Sequence, residues 1–181
     1  MAAPTTTDER SLIYAARASL SPKLVGDLCY EMTLIASPSG EELTLAEFLA
    51  KRLAAAGAST RVSRFGVSGA SLVARIGSAS DGPRLWVYAP LDTAFSGNNE
   101  EDQPWLGTAP RADFALPPSR ESGKVIGLGA ENPKGFAAAA IAAFEAVARE
   151  QHHLRGEIVL TLCGGSMPVT RNDLPIVPSP K

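Results

Sequence analysis

A chain of 181 residues, 45% apolar and 20% charged, has the size and balance of one ordinary globular domain, which excludes a disordered tail and a small disulfide scaffold. Seventeen Lys and Arg against nineteen Asp and Glu leave a net charge of −2 with no basic cluster, so no nucleic-acid partner held by phosphate contacts is expected. No apolar run approaches the roughly 18–20 residues of a membrane helix, and Met1 to Arg10 lacks the basic-then-apolar order of a signal peptide; a cytoplasmic protein with two reduced, buried thiols, Cys29 and Cys163, is the expectation.

In chain order, residues 1–20 read as a flexible segment or a short helix, with Asp8 as its cap and Leu12, Ile13, Ala16 and Leu20 as apolar positions. Ser21-Pro22 is a cap followed by proline at the first helical position, where a missing N–H costs nothing. The helix it opens carries Leu24, Leu28, Met32 and Ile35 at helical spacing and stops at Pro38-Ser39-Gly40. Glu41-Glu42 then open a second helix, where acidic groups suit the dipole; Leu45, Phe48, Leu49 and Leu53 form its stripe and Gly57 its stop. Weak alternation predicts short strands over 60–65 and 71–76. Residues 84–91 are nearly all apolar and read as a strand covered on both faces.

Residues 93–125 are rich in Gly, Pro and charge and read as one long connection, either a functional loop or a disordered one. Asn132-Pro133 repeats the cap-plus-proline signal, with Asn132 capping a helix that bears Phe136, Ile141, Phe144 and Val147 and ends near His152-His153. Those two histidines are not expected to share a metal, because adjacent α-helical residues point about 100° apart. Residues 157–163 form another strand with an apolar centre, and residues 166–181, with Pro168, Pro175, Pro178 and Pro180, form a tail. Helices lying between strands predict one α/β domain, a three-layer sheet flanked by helices, spanning residues 21–165.

Ligands of such sheets bind beyond the carboxyl ends of strands. Two strand ends stand out, Ala89-Pro90-Leu91-Asp92-Thr93 and Cys163-Gly164-Gly165-Ser166, together with the helix start Glu131-Asn132-Pro133-Lys134. Asp92 is a candidate catalytic residue, the Cys163–Ser166 turn a candidate nucleophile loop, and Lys134 a candidate anion contact at a helix N-terminus.

These places, with Ser37-Pro38-Ser39-Gly40-Glu41-Glu42, Trp105 and the run from Gly123 to Gly135, resemble the N-terminal part of the catalytic domain of the zinc aminopeptidase and deacylase superfamily, peptidase family M-twenty. Acetylornithine deacetylase, succinyl-diaminopimelate desuccinylase and carnosinase-type dipeptidases belong to it. The resemblance implies a partial phosphorylase/hydrolase-like catalytic domain and covers less than half of a complete family member. It also implies two zinc ions that turn a bound water into a nucleophile. The family's ligands are a His two residues before an orienting Asp at a strand end, a bridging Asp at a helix start, and a Glu-Glu pair after the next strand.

Carried over, the His position is Pro90, the bridging Asp is Asn132, and the Glu pair falls near Ser166 and Met167; Asp92 alone persists. No metal and no cofactor are therefore expected, although the family uses zinc. The expectation is a degenerate or truncated homologue of zinc-dependent amide-bond hydrolases, without catalysis as an isolated chain and acting as a partner-binding subunit. The alternatives are an active metallohydrolase of small acylated amino acids or dipeptides, the one case that needs a small-molecule substrate, and a metal-free hydrolase using the Cys163–Ser166 loop. The family covers part of this sheet with elements from its C-terminal half, so an open strand edge here predicts self-association or a partner polypeptide.

Overall fold

The computed structural model describes residues 6–80, 82–106, 114 and 116–167. Helix α1 (Thr7–Ala18) is capped by Thr6 rather than Asp8: the Thr6 hydroxyl accepts from Glu9 N–H while the Glu9 carboxylate accepts from Thr6 N–H, a reciprocal capping box. Helix α2 (Pro22–Leu34) starts as read, with Ser21 Oγ accepting from Leu24 N–H at 3.1 Å. Helix α3 (Leu43–Ala55) begins one residue after Glu42, whose side chain does not cap it.

Strands β1 (Ser59–Phe65), β2 (Gly69–Gly77) and β3 (Arg84–Pro90) follow. The stretch 93–125 is not one loop: it holds helix α4 (Asn99–Leu106) and strand β4 (Ser119–Glu121), which pairs with β5 (Lys124–Ile126) as a small hairpin. Helix α5 (Lys134–Ala148) has Pro133 at its cap position with no side-chain bond, so Asn132 is exposed and does not cap it. The helix ends well before His152; Gln151–His153 form a separate 3-10 turn before β6 (Glu157–Cys163). The proline-rich tail lies outside the described residues beyond Met167.

The main sheet has the order β1-β2-β6-β3, antiparallel except for the β3–β6 pair, which is parallel. A parallel neighbour requires a crossover, and α5 is part of it. This is the expected α/β architecture, a mixed sheet with helices packed on it. One face of the sheet presents Ala70, Leu72, Ala74 and Ile76 from β2, Leu160 and Leu162 from β6, and Ala89 from β3, all within 2% of complete burial. Helix α3 lays the fully buried Leu45, Leu49 and Leu53 on β1 and β2. Each such leucine contributes on the order of 1.5–3 kcal/mol. Helix α5 covers β3 and β6 and supports α2 on its back. Its buried face includes Ala137, Ala138, Ile141, Phe144 and Ala148. Phe136, read as part of that stripe, is instead 62% exposed. A bidentate pair, Arg52 Nε and Nη2 to the buried Glu145 carboxylate at 2.6 and 3.0 Å, ties α3 to α5.

The reading of residues 84–91 as covered on both faces is overturned. Among the described residues β3 is an edge strand, with Leu85 57%, Trp86 69% and Tyr88 50% exposed. The second face also carries the exposed Ser59, Arg61, Ser63 and Phe65 of β1, and the packed helices α2, α3 and α5 all lie on the other side. An apolar run records only that residues are apolar; whether a second layer covers them is a tertiary property. Trp86 partly serves as that cover itself. Its indole N–H donates to Thr161 Oγ1 at 2.7 Å, and it sits opposite Val159, which is buried on a face that no described helix covers.

Candidate functional site

The site assembles where three chain segments meet beyond the carboxyl ends of β3 and β6. The Ser37-Pro38-Ser39 stretch runs beside residues 91–93: Thr93 N–H donates to Ser37 O at 2.9 Å and Ser39 N–H to Thr93 O at 3.1 Å. The Ser37 hydroxyl donates to Leu91 O at 2.8 Å. Those serines therefore zip the end of β3 to the start of the α3 approach, and the Ser39 hydroxyl, at 2.6 Å, reaches Asp92.

Asp92 is completely buried, and both of its oxygens are occupied. Oδ2 accepts from the Ser39 hydroxyl at 2.6 Å and from the backbone N–H of Ser166 and Met167 at 2.9 and 2.7 Å. Oδ1 accepts from the Ser166 hydroxyl at 2.5 Å. Short bonds to a carboxylate are the strong class of hydrogen bond. Their donors come from residues 53 and 74–75 positions away in sequence, so this carboxylate fastens the turn after β6 to the end of β3.

A second buried carboxylate holds the same turn. Glu42 is 0% exposed; its Oε1 accepts from Gly40 N–H at 2.7 Å and Gly165 N–H at 2.8 Å, and its Oε2 from Ala70 N–H at 3.1 Å. The glycines of the turn are required by this packing. A Cβ on Gly164 would lie 2.3 Å from Ala70 O and 2.6 Å from Glu42 Cδ, and Gly165 has φ +68°. Sequence reading placed Glu42 in the first turn of α3 and missed this role, because its partners lie up to 123 residues away.

Of the other singled-out residues, Pro90 is half-buried and Asn132 exposed, at the ends of β3 and before α5. Lys134 is 1% exposed, inside the domain, and its Nζ donates to Ile35 O at 2.7 Å. Burial lowers its pKa to about 8, partly opposed by Cys29 nearby. The Lys134 stem lies under Gly129, where φ is +83° and a Cβ would come within 2.7 Å of Thr93 Cγ2 and 3.3 Å of Lys134 Cδ. Cys163 is half-buried, not buried as expected; burial and then the Asp92 charge push its thiol up. Cys29 is buried, and burial raises its thiol too.

Next to these segments lies a cleft of about 400 Å³ reaching from Thr93 and Phe95 past Gly129 to Asn132 and Met167. Glu131 is the one ionisable side chain among its lining residues. The donor set does not fit a pair of divalent cations. Proline offers no side-chain donor, Asn132 brings no charge, the Ser166 hydroxyl is committed to Asp92, and a Met167 thioether is a soft, weak ligand. Both oxygens of Asp92 already accept hydrogen bonds from within the domain.

Solved structures similar to this chain include peptidases. A tripeptidase from Staphylococcus aureus superposes with TM-score 0.55 at 18% identity, over 81% of this chain and 37% of that one. The LapA aminopeptidase of Legionella pneumophila gives 0.58 at 13% identity, over 90% and 40%. Human carnosine dipeptidase 1 gives 0.54 at 20%, over 90% and 35%. No family model and no curated protein matches the chain. The chain shares its fold with these structures and spans two fifths or less of their length. No described helix is long and apolar enough to cross a membrane.

Proposed function

We propose that this chain is a degenerate homologue of the zinc-dependent amide-bond hydrolases, of peptidase or deacylase type, that has exchanged catalysis for binding another polypeptide, in the cytoplasm. The observation that carries the reading is Asp92. The one family residue that persists has both oxygens taken up by four donors of the protein itself, and the turn where the family places a Glu pair is built as Gly-Gly-Ser around that carboxylate. A residue spent on holding a turn is not available to hold a ligand for a metal.

A metal-free hydrolase at the Cys163–Ser166 turn finds no support. Burial and the Asp92 charge favour the Cys163 thiol over the thiolate that would attack. The Ser166 hydroxyl donates to a carboxylate with no imidazole between them. The chain's two histidines precede β6, whereas the turn follows it, so the length of the strand separates base from nucleophile.

For the partner the reading commits to a second copy of this chain, paired antiparallel through β3. With Val87 at the two-fold axis, Trp86 faces Tyr88, Leu85 faces Ala89 and Arg84 faces Pro90. No like charges oppose one another, since Arg84 is the strand's one charged residue and is already paired with Glu157. Cross-strand aromatic pairs of this kind stabilise sheets, and an open edge supplies unpaired N–H and C=O groups.

Activity is tested on the wild-type chain and on Pro90→His/Asn132→Asp, with acetylated amino acids and dipeptides in the presence of zinc. Neither should turn over substrate, because two restored ligands still lack a general base. Zinc-dependent cleavage by either protein would overturn the reading.

A further inference from the structure

Outside the strand-end region, one cluster of metal-ligating side chains is built into the described residues. It follows the carboxyl end of α5. An α-helical Glu-Gln-His-His would splay its two imidazoles about 100° apart. The chain does not continue the helix here. It makes the 3-10 turn Gln151–His153, and the two rings come together with centroids 3.9 Å apart at 45°. One ligand atom from each of Glu150, His152 and His153 lies within 4.8 Å of the other two.

We infer that Glu150, His152 and His153 bind a borderline divalent transition-metal ion, of which zinc(II) is the representative. Two imidazoles and a carboxylate are a donor set suited to such ions, with metal–ligand distances of about 2.0–2.2 Å. Both histidines are exposed, so their side-chain torsions are free to adjust the imidazoles toward an ion.

The backbone beneath is held independently of any ion. Gln151 Nε2 donates to Gly57 O at 3.3 Å, His153 N–H to Glu150 O and Leu154 N–H to Gln151 O at 3.0 Å each, and Leu154 packs against the core. Only side-chain freedom is lost on binding. The last carbonyls of α5 point toward this end and favour a cation there. Among the described residues, no hydrogen bond or ion pair engages the Glu150 carboxylate or either imidazole, so the ion displaces no protein partner. Three protein ligands leave a coordination position for water or an added ligand. The site is separated from Pro90 and Ser166 by the length of β6 and from Asn132 by α5, so it does not depend on the family's ligand positions.

The test is equilibrium dialysis of the chelator-stripped full chain against zinc chloride, with metal analysis. The expected result is one zinc per chain. His152→Ala and His153→Ala should each weaken it by more than about tenfold, and the double variant should bind none. Asn132→Ala, altered at a family ligand position, should bind as the wild type does. Both histidines are exposed, so circular dichroism should report unchanged folding. Cobalt(II) in place of zinc gives a second readout, a visible absorption band present in the wild type and lost in the double variant. A wild-type chain that binds no zinc, or a double variant that retains it, overturns the inference.

Discussion

Replacing Asp92 by alanine removes the acceptor of four hydrogen bonds at 2.5–2.9 Å from a fully buried position. Each bond to a charged group contributes about 1.5–3 kcal/mol net, but the four do not simply add, because burying the carboxylate itself costs several kcal/mol. The losses are better judged donor by donor. The Ser166 hydroxyl is on an exposed residue and can turn to water, and the Ser39 hydroxyl already has Met167 O within 3.3 Å. The Ser166 and Met167 amides lose their charged acceptor, and a hydrogen bond to a charged group contributes about 1.5–3 kcal/mol. Asp92→Ala should therefore lose about 3–4 kcal/mol of stability, a large share of the 5–15 kcal/mol typical of a domain. Asp92→Asn keeps one oxygen and should lose about 1–2 kcal/mol, the Ser166 hydroxyl rotating to accept from the new amide. Urea titration by tryptophan fluorescence gives both numbers. Hydrogen exchange should show the amides of Ser166 and Met167 losing protection in Asp92→Ala while those of β2 keep it. An alanine variant within about 0.5 kcal/mol of the wild type would refute the idea that Asp92 fastens the turn.

Glu42→Ala should cost a similar 2–4 kcal/mol, since three backbone N–H groups lose their acceptor. Because Glu42 and Asp92 hold adjacent amides of one turn, the double variant should fall short of the two single losses added together by about 1 kcal/mol or more; strict additivity in the same titration would show that they act separately. Lys134 keeps its proton to pH 10.5 when unfolded but only to about 8 when folded, so the unfolded chain holds more protons between those values and this residue's contribution to stability rises with pH across that window. At pH 7 its charge costs about 3 kcal/mol, which Lys134→Met relieves at the loss of one bond to Ile35 O worth about 1 kcal/mol. The variant should thus be more stable at pH 7 by about 1–2 kcal/mol and lose that advantage by pH 10.5; a difference from the wild type that stays constant with pH would contradict the buried-charge account. On the open sheet edge, light scattering should find a dimer that Trp86→Lys converts to monomer; a wild-type chain that is monomeric at high concentration counts against pairing through β3.

Most of the elements could be read from local pattern, because capping and periodicity act over a few residues. Ser21-Pro22 starts α2 and leucines spaced four apart mark α3 where the chain says they should. The same short range explains the misreadings. Asn132-Pro133 has the chemistry of a cap, yet the helix begins one step later and leaves the amide exposed. His152-His153 sit where a helical pattern fades, and the switch to a 3-10 turn reverses the conclusion about whether their rings can meet.

By itself, the sequence determined the α/β order of elements and the chemistry available at Pro90, Asn132, Ser166 and Met167, none of which carries a charged side chain. Those are properties of residue identity and near neighbours. Only the tertiary structure decided what the remaining polar residues do. Glu42 reaches across 123 positions to Gly165, Asp92 reaches 75 positions to Met167, and Lys134 reaches 99 positions to Ile35. Whether an apolar strand such as β3 is covered or bare was likewise settled by what packs on it. A buried carboxylate takes its role from the donors that surround it, and those donors are brought together by the fold rather than by the order of residues along the chain.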